Sequence, residues 1–177
     1  PIVMKKRIGI FYGPTDGATE RVAKKIQEAF GTDNADLIAI KDSKAGDIDK
    51  YERIIFGCST IGKDTWQTDK PKPDWDIFRP EIEKINYKNK LFALFGLGNS
   101  ITYAAVFVDS MGILAKEMLK HGATIVGRVP RCEYTFTDSE ALIDGQFIGL
   151  PIDEDFEADL TDRRVKEWVE KLKSVFD

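Results

Sequence analysis

Histidine is nearly missing from this chain of 177 residues, which has only His121. A single imidazole excludes a histidine-rich metal centre and confines any Ser-His-Asp arrangement to its own neighbourhood. His121-Gly122 reads instead as a helix end: a side chain suited to the negative end of the dipole, then the glycine that permits a left-handed turn. Cysteine is scarce as well. Cys58 and Cys132 form no C-x-x-C and no disulfide framework. Positive charge is not in surplus, since 26 Lys and Arg against 30 Asp and Glu leave −4. A nucleic-acid binder needs a basic footprint, and none is present. No apolar run approaches the roughly 20 residues that span a bilayer. No basic stretch followed by an apolar one marks an export signal. Together with reduced thiols, these absences lead us to expect a cytoplasmic protein that binds neither nucleic acid nor membrane.

What is present is an alternation of strand and helix patterns. Strand-like runs lie at Ile8–Tyr12, Asp36–Ile40, Arg53–Cys58, Leu91–Phe95 and Thr124–Val129. Helical apolar spacing fills Ala18–Phe30, Ala104–Lys120 and the segment carrying Val165, Trp168, Val169, Leu172, Val175 and Phe176. Short apolar strands separated by helices predict βαβ units and a doubly wound, five-stranded parallel sheet with helices on both faces. The pattern predicts one domain over residues 1–177. Two segments break the rhythm. Ser59–Trp75, with Pro71 and Pro73, reads as a loop. Arg131–Pro151, with Tyr134, Phe136 and Phe147, reads as an added hairpin or a split strand after strand five. The acids Asp153, Glu154, Asp155, Glu157, Asp159 and Asp162 read either as a solvated face at a helix start or as a docking patch for a basic partner.

In such sheets ligands sit outside the carboxyl ends of the strands, where strand order reverses. Three loops fall there. The first, Gly13-Pro14-Thr15-Asp16-Gly17-Ala18-Thr19, links a buried strand to a helix and is rich in small and hydroxyl residues that let backbone N–H groups approach an anion. It carries neither a Walker lysine nor G-x-G-x-x-G, so a nucleotide triphosphatase and a dinucleotide fold are unsupported. The second is Gly57-Cys58-Ser59-Thr60-Ile61-Gly62; its Cys58 has no basic neighbour in sequence and reads as a buried structural thiol. The third is Gly96-Leu97-Gly98-Asn99-Ser100-Ile101-Thr102-Tyr103. Its glycines allow close backbone approach, and Tyr103 can cover a planar ligand or pack on the next helix. A phosphate cradle, two backbone-rich loops and an aromatic lid suit a planar phosphorylated ligand such as flavin mononucleotide, FMN.

These stretches, with Trp75-Asp76, Phe78, Phe107, Phe147-Ile148-Gly149-Leu150 and Asp159-Leu160-Thr161-Asp162-Arg163-Arg164, run in order from about Lys6 to the C-terminus. In them the chain resembles flavodoxin of the long-chain type, the insertion after strand five being the mark of that type. The resemblance implies a low-potential carrier of single electrons, not an enzyme with its own substrate. It implies noncovalent FMN cycling through quinone, semiquinone and hydroquinone states. It implies redox partners: an NAD(P)H-dependent flavodoxin reductase and oxidoreductases that otherwise use ferredoxin. The carrier is expected to be monomeric. By the resemblance, Pro14, Thr15, Asp16, Gly17, Ala18 and Thr19 hold the phosphate, and Ser59, Thr60, Ile61 and Gly62 line the ring. Ile61 covers its inner face and Tyr103 its outer face. Asn99 bonds the pyrimidine edge with help from N–H groups near Leu97 and Gly98. Gly62 suits a peptide flip that follows reduction.

The departures are specific. The family usually carries hydroxyl residues where Pro14 and Asp16 stand, Asp where Asn99 stands, and often Trp where Ile61 stands. A carboxylate 4 Å from a phosphate charge is repulsive by roughly 4 kcal/mol at an effective dielectric constant of 20. Asp16 must therefore point away, cap the helix, or weaken the ligand. Trp66, in the lengthened second loop, is an alternative cover for the ring. Three other readings compete: an NAD(P)H-dependent quinone or flavin reductase of the same fold, a phosphoacceptor module, and a relative that has lost its flavin. The second lacks its acids, because the ends of strands one and three hold Tyr12-Gly13 and Cys58-Ser59.

Overall fold

A computed structural model describes residues 7–59, 73–101 and 104–176. Three strands, β1 (Ile8–Gly13), β2 (Ala35–Ala39) and β3 (Arg53–Cys58), pair parallel with β4 (Leu91–Leu97) and β5 (Ile125–Val126) in the order β2-β1-β3-β4-β5. Every residue of β1 is buried, and so are the last five of β3 and the last six of β4. Runs such as Ile-Ile-Phe and Leu-Phe-Ala-Leu-Phe therefore do not alternate, as expected of a sheet covered on both faces. The expected doubly wound sheet is present.

The helix α1 (Ala18–Phe30) buries Val22, Ala23, Ile26 and Phe30, three and four residues apart. It packs beside α5 (Thr161–Phe176), where the Phe30 and Phe176 rings stack with centroids 6.2 Å apart. The connection β1–α1–β2 runs one way along the sheet, whereas α2 (Ala45–Ile48), α3 (Asp74–Ile82) and α4 (Asp109–Lys120) serve connections running the other way. Right-handed crossovers then put the two sets on opposite faces and make the β1/β3 junction the point where strand order reverses.

The structure corrects several boundaries. Strand two ends at Ala39, and Ile40–Asp42 turns as a 3-10 helix. Trp75 is not loop but lies in the first turn of α3, a helix whose short length and Pro80 hide its pattern. The single helix expected over 104–120 is two pieces, a 3-10 turn at Ala104–Val106 and α4. Between them Val108 is left-handed at φ 49° and fully buried, a conformation a β-branched residue adopts only where surroundings impose it. His121 and Gly122 do end α4 as read.

Strand five does not run through Val129. β5 pairs Ile125 and Val126 with Phe92 and Ala93, and the chain then leaves the sheet at Gly127. It returns as β9 (Leu150–Ile152), which pairs with Phe95, Gly96 and Leu97 of the same strand. The excursion holds a small antiparallel sheet of β6 (Val129–Pro130), β8 (Gln146–Phe147) and β7 (Leu142–Ile143). The β7–β8 turn is Asp144-Gly145, both at positive φ, the signature of a two-residue hairpin. Phe147 meets Tyr134, Phe136 and Phe107 at 5.1–5.9 Å and anchors the excursion to the body. The split strand and the added hairpin, read as alternatives, are both there.

Candidate functional site

The C-terminal ends of β1, β3 and β4 lie side by side: Gly13 is in register with Cys58, and Cys58 with Gly96. The first two predicted loops flank the reversal point and the third adjoins them. In the first, a cis Gly13-Pro14 peptide leads into exposed Pro14, half-buried Thr15 and exposed Asp16 at φ 64°. Gly17 is the N-cap of α1, and among the described residues no side chain caps that helix. Asp16 is thus not the cap. A Cβ built on Gly17 meets none of the described residues within 4 Å. Ala18 is half-buried, and Thr19 is buried in the first turn.

Three residues outside the predicted set brace this loop. The Tyr12 hydroxyl donates to Glu20 Oε1 at 2.7 Å. That bond, seconded by the Asp16 N–H, holds the Glu20 carboxyl below its usual range, while burial and then Glu20 push the Tyr12 phenol up to about 12. Lys41, in the turn after β2, donates to Thr15 Oγ1 at 3.4 Å. Nothing local in the sequence signals Lys41. Its reach follows from β2 pairing with β1 in register through Tyr12 and Ala39.

At the second loop, Cys58 is buried and its thiol is pushed up to about 12 by that burial, so it is the structural thiol it was read to be. Ser59 is half-buried. Trp75 roofs this strand end by donating its indole N–H to the Gly57 carbonyl at 2.8 Å and packing its ring on Phe56. Thr60, Ile61, Gly62 and Trp66, and in the third loop Tyr103, lie outside the described residues.

The third loop is tightly held over its described residues. Leu97 is in register with Ile152, and the Gly98 N–H donates to the Ile152 carbonyl at 2.9 Å, so this donor belongs to the sheet. A Cβ on Gly98 would sit 2.8 Å from Val108 and 2.9 Å from Phe107, so only glycine fits there. Asn99 is buried; its amide donates to Asp155 Oδ2 at 3.0 Å and its Oδ1 accepts the Ile101 N–H at 3.1 Å. The acidic run is not one solvated face. Asp153 is 0% exposed, whereas Asp155, Asp159 and Asp162 are exposed. Among the described residues no cluster of His, Cys, Asp or Glu could hold a metal ion, and no helix is long and apolar enough to cross a membrane.

A family model for flavodoxin matches residues 10–168. The flavodoxin of Nostoc sp. is 40% identical over 173 residues, which cover 98% of this chain and 99% of that one. The chain belongs to the flavodoxin family. Flavodoxin 1 of Escherichia coli is 40% identical over 165 residues, 93% of this chain and 91% of its own. Among solved structures, that of Fusobacterium nucleatum flavodoxin bound to flavin mononucleotide is similar at TM-score 0.85 and 26% identity, covering 97% of this chain and 99% of that chain. Flavodoxins carry electrons and do not turn over a substrate of their own, so the reductase alternative is not favoured.

Proposed function

We propose that this flavodoxin binds FMN across the three loops and passes single electrons between redox proteins. The observation that carries the reading is the start of α1. Among the described residues, a 13-residue helix opens on Gly17 with no side-chain cap and with open space at the Cβ position, so its first N–H groups face room for an anion. The residues present therefore fit a phosphorylated ligand. The bound flavin supplies one-electron chemistry. The protein's part is to hold the phosphate at 14–19, shelter the ring between the second and third loops, and set its surroundings. Pro14, Thr15, Asp16, Gly17, Ala18 and Thr19 are the phosphate loop of this reading. Ser59, Thr60, Ile61, Gly62, Leu97, Gly98, Asn99 and Tyr103 are its ring residues.

Partners follow from the family's work as a redox shuttle: an NAD(P)H-dependent reductase as donor, and oxidoreductases that also accept ferredoxin. The split fifth strand supports the long-chain type, in one domain that acts as a monomer. Two free thiols, one of them exposed, suit a reducing compartment such as the cytoplasm. The test is the visible spectrum of the purified protein through stepwise anaerobic reduction. Flavin absorption that bleaches in two separate one-electron steps is expected. A colourless protein that also rejects added FMN would sink the reading.

Lys41 bears on the same loop. Its ammonium lies at Thr15, where a phosphate at the α1 terminus falls within electrostatic reach. Lys41→Ala is expected to weaken FMN about three-fold at low salt, as befits an exposed charge, and the difference should fade near ~0.5 M salt. Titration by flavin fluorescence at two salt concentrations checks this. A difference independent of salt would rule out a charge effect.

A further inference from the structure

Beyond Leu97 and Ile152 the pairing of β4 with β9 runs out, and a side chain takes over. Asp153 is wholly buried. Its Oδ2 accepts the Ser100 N–H at 3.0 Å and the Ser100 hydroxyl. Its Oδ1 accepts the N–H groups of Asp155 at 3.0 Å and of Phe156 at 2.9 Å. One oxygen thus holds the third loop and the other holds the turn that follows β9. The same two segments meet again where the Asn99 amide donates to Asp155.

We propose that Asp153 is a positioning residue for the ring end of the site, a carboxylate bracket that fixes where loop 98–101 stands. The inference rests on the reading that this loop faces the flavin ring. A carboxylate is acceptor-only and can satisfy all four donors at once, and bonds to its charge are stronger than neutral ones. The loop is then set before the ligand arrives, and binding need not order it. The bracket also explains how Asn99 works where the family commonly has Asp. A second carboxylate at 99 would stand against Asp155 at hydrogen-bond distance, whereas the amide donates to it. Asp153 touches no ligand in this scheme and acts through Ser100 and Asn99.

Asp153→Asn keeps the shape but turns one acceptor into a donor that faces N–H groups. The test compares wild type, Asp153→Asn and the milder Ser100→Ala for their affinity for FMN and for riboflavin, and for the midpoint potential of the first reduction. Asp153→Asn is expected to weaken both flavins by the same factor, about ten-fold, and to shift the potential. Ser100→Ala, which removes one donor, is expected to weaken both about three-fold and serves if the first variant does not fold. The riboflavin arm separates the ring end from the phosphate end. Affinities within two-fold of wild type and an unmoved potential would overturn the role of Asp153 while leaving the flavin reading intact. A wild-type protein that binds neither flavin would overturn both.

Discussion

Gly17→Asp is expected to raise the stability of the flavin-free protein and to weaken FMN binding about a hundred-fold. Opposite signs follow from one geometry. The backbone at Gly17 is extended, φ −149°, which any residue adopts, and a new Cβ meets nothing within 4 Å. Fold strain is therefore absent. Asp is among the best N-caps, and here it would meet a helix that lacks one. Glycine is itself a fair N-cap, so the gain should be a few tenths of a kcal/mol, or roughly 1 °C in a chain of this size. The N–H groups it satisfies are the ones the phosphate needs, so the side chain competes with the ligand for the same donors. It also adds a charge beside the phosphate, repulsive by roughly 4 kcal/mol per charge pair at 4 Å. Solvent at this open terminus reduces that, and about 3 kcal/mol remains as a reasonable sum, which is two orders of magnitude in affinity. Riboflavin, which lacks the phosphate, should bind both forms alike. Fluorescence titration with the two flavins and a thermal scan of each apoprotein make the test. FMN affinity unchanged alongside a stabilised apoprotein would place the phosphate elsewhere.

This prediction was reachable from the sequence because the first loop is local. A buried strand, a small-residue turn and an amphipathic helix follow one another within two dozen residues, so Gly17 could be placed without tertiary knowledge. The same holds for β3 and for the face of α5, except Val175, which was read onto that face and is exposed. Long-range features were not legible. Asp153 reads as one acid among six, and only the register of Leu97 with Ile152 reveals that it lies inside. Gly98 reads as a donor for the ligand, yet its N–H belongs to Ile152. Lys41 reaches Thr15 because β2 lies beside β1, a neighbour relation that periodicity does not encode. Helix α3 was hidden for a different reason: Pro80 inside it and Pro73 just before it mask nine residues whose burial is confined to Phe78 and Ile82.

The split fifth strand makes the other large prediction. Gly127 and Gly149 bound the excursion, and Gly149 faces Leu94, the residue of β4 between the partners of β5 and β9. A Cβ on Gly149 would lie 2.2 Å from the Leu94 carbonyl oxygen, 2.8 Å from its carbon and 2.9 Å from its Cβ. The obstacle is backbone of a strand already paired with β3 on its other side, so it cannot turn away as a flexible side chain would. Overpacking against a fixed wall costs about 3 kcal/mol, the upper end of the usual range. Gly149→Ala is accordingly expected to lower the apoprotein's melting midpoint by roughly 6–12 °C. Gly46→Ala is the control, since a Cβ there meets nothing within 4 Å in the short helix α2. It should be neutral or slightly stabilising, because alanine in a helix loses less backbone freedom on folding. Urea denaturation of both apoproteins separates the cases. The effect should extend past stability, because Gly149 lies four residues before Asp153. Pushing β9 off Leu94 moves the bracket that holds Ser100, so flavin affinity should fall with the melting midpoint for Gly149→Ala and stay at the wild-type value for Gly46→Ala. A Gly149→Ala protein as stable as wild type would mean that β9 does not close on Leu94, and the ring loop would then need another support.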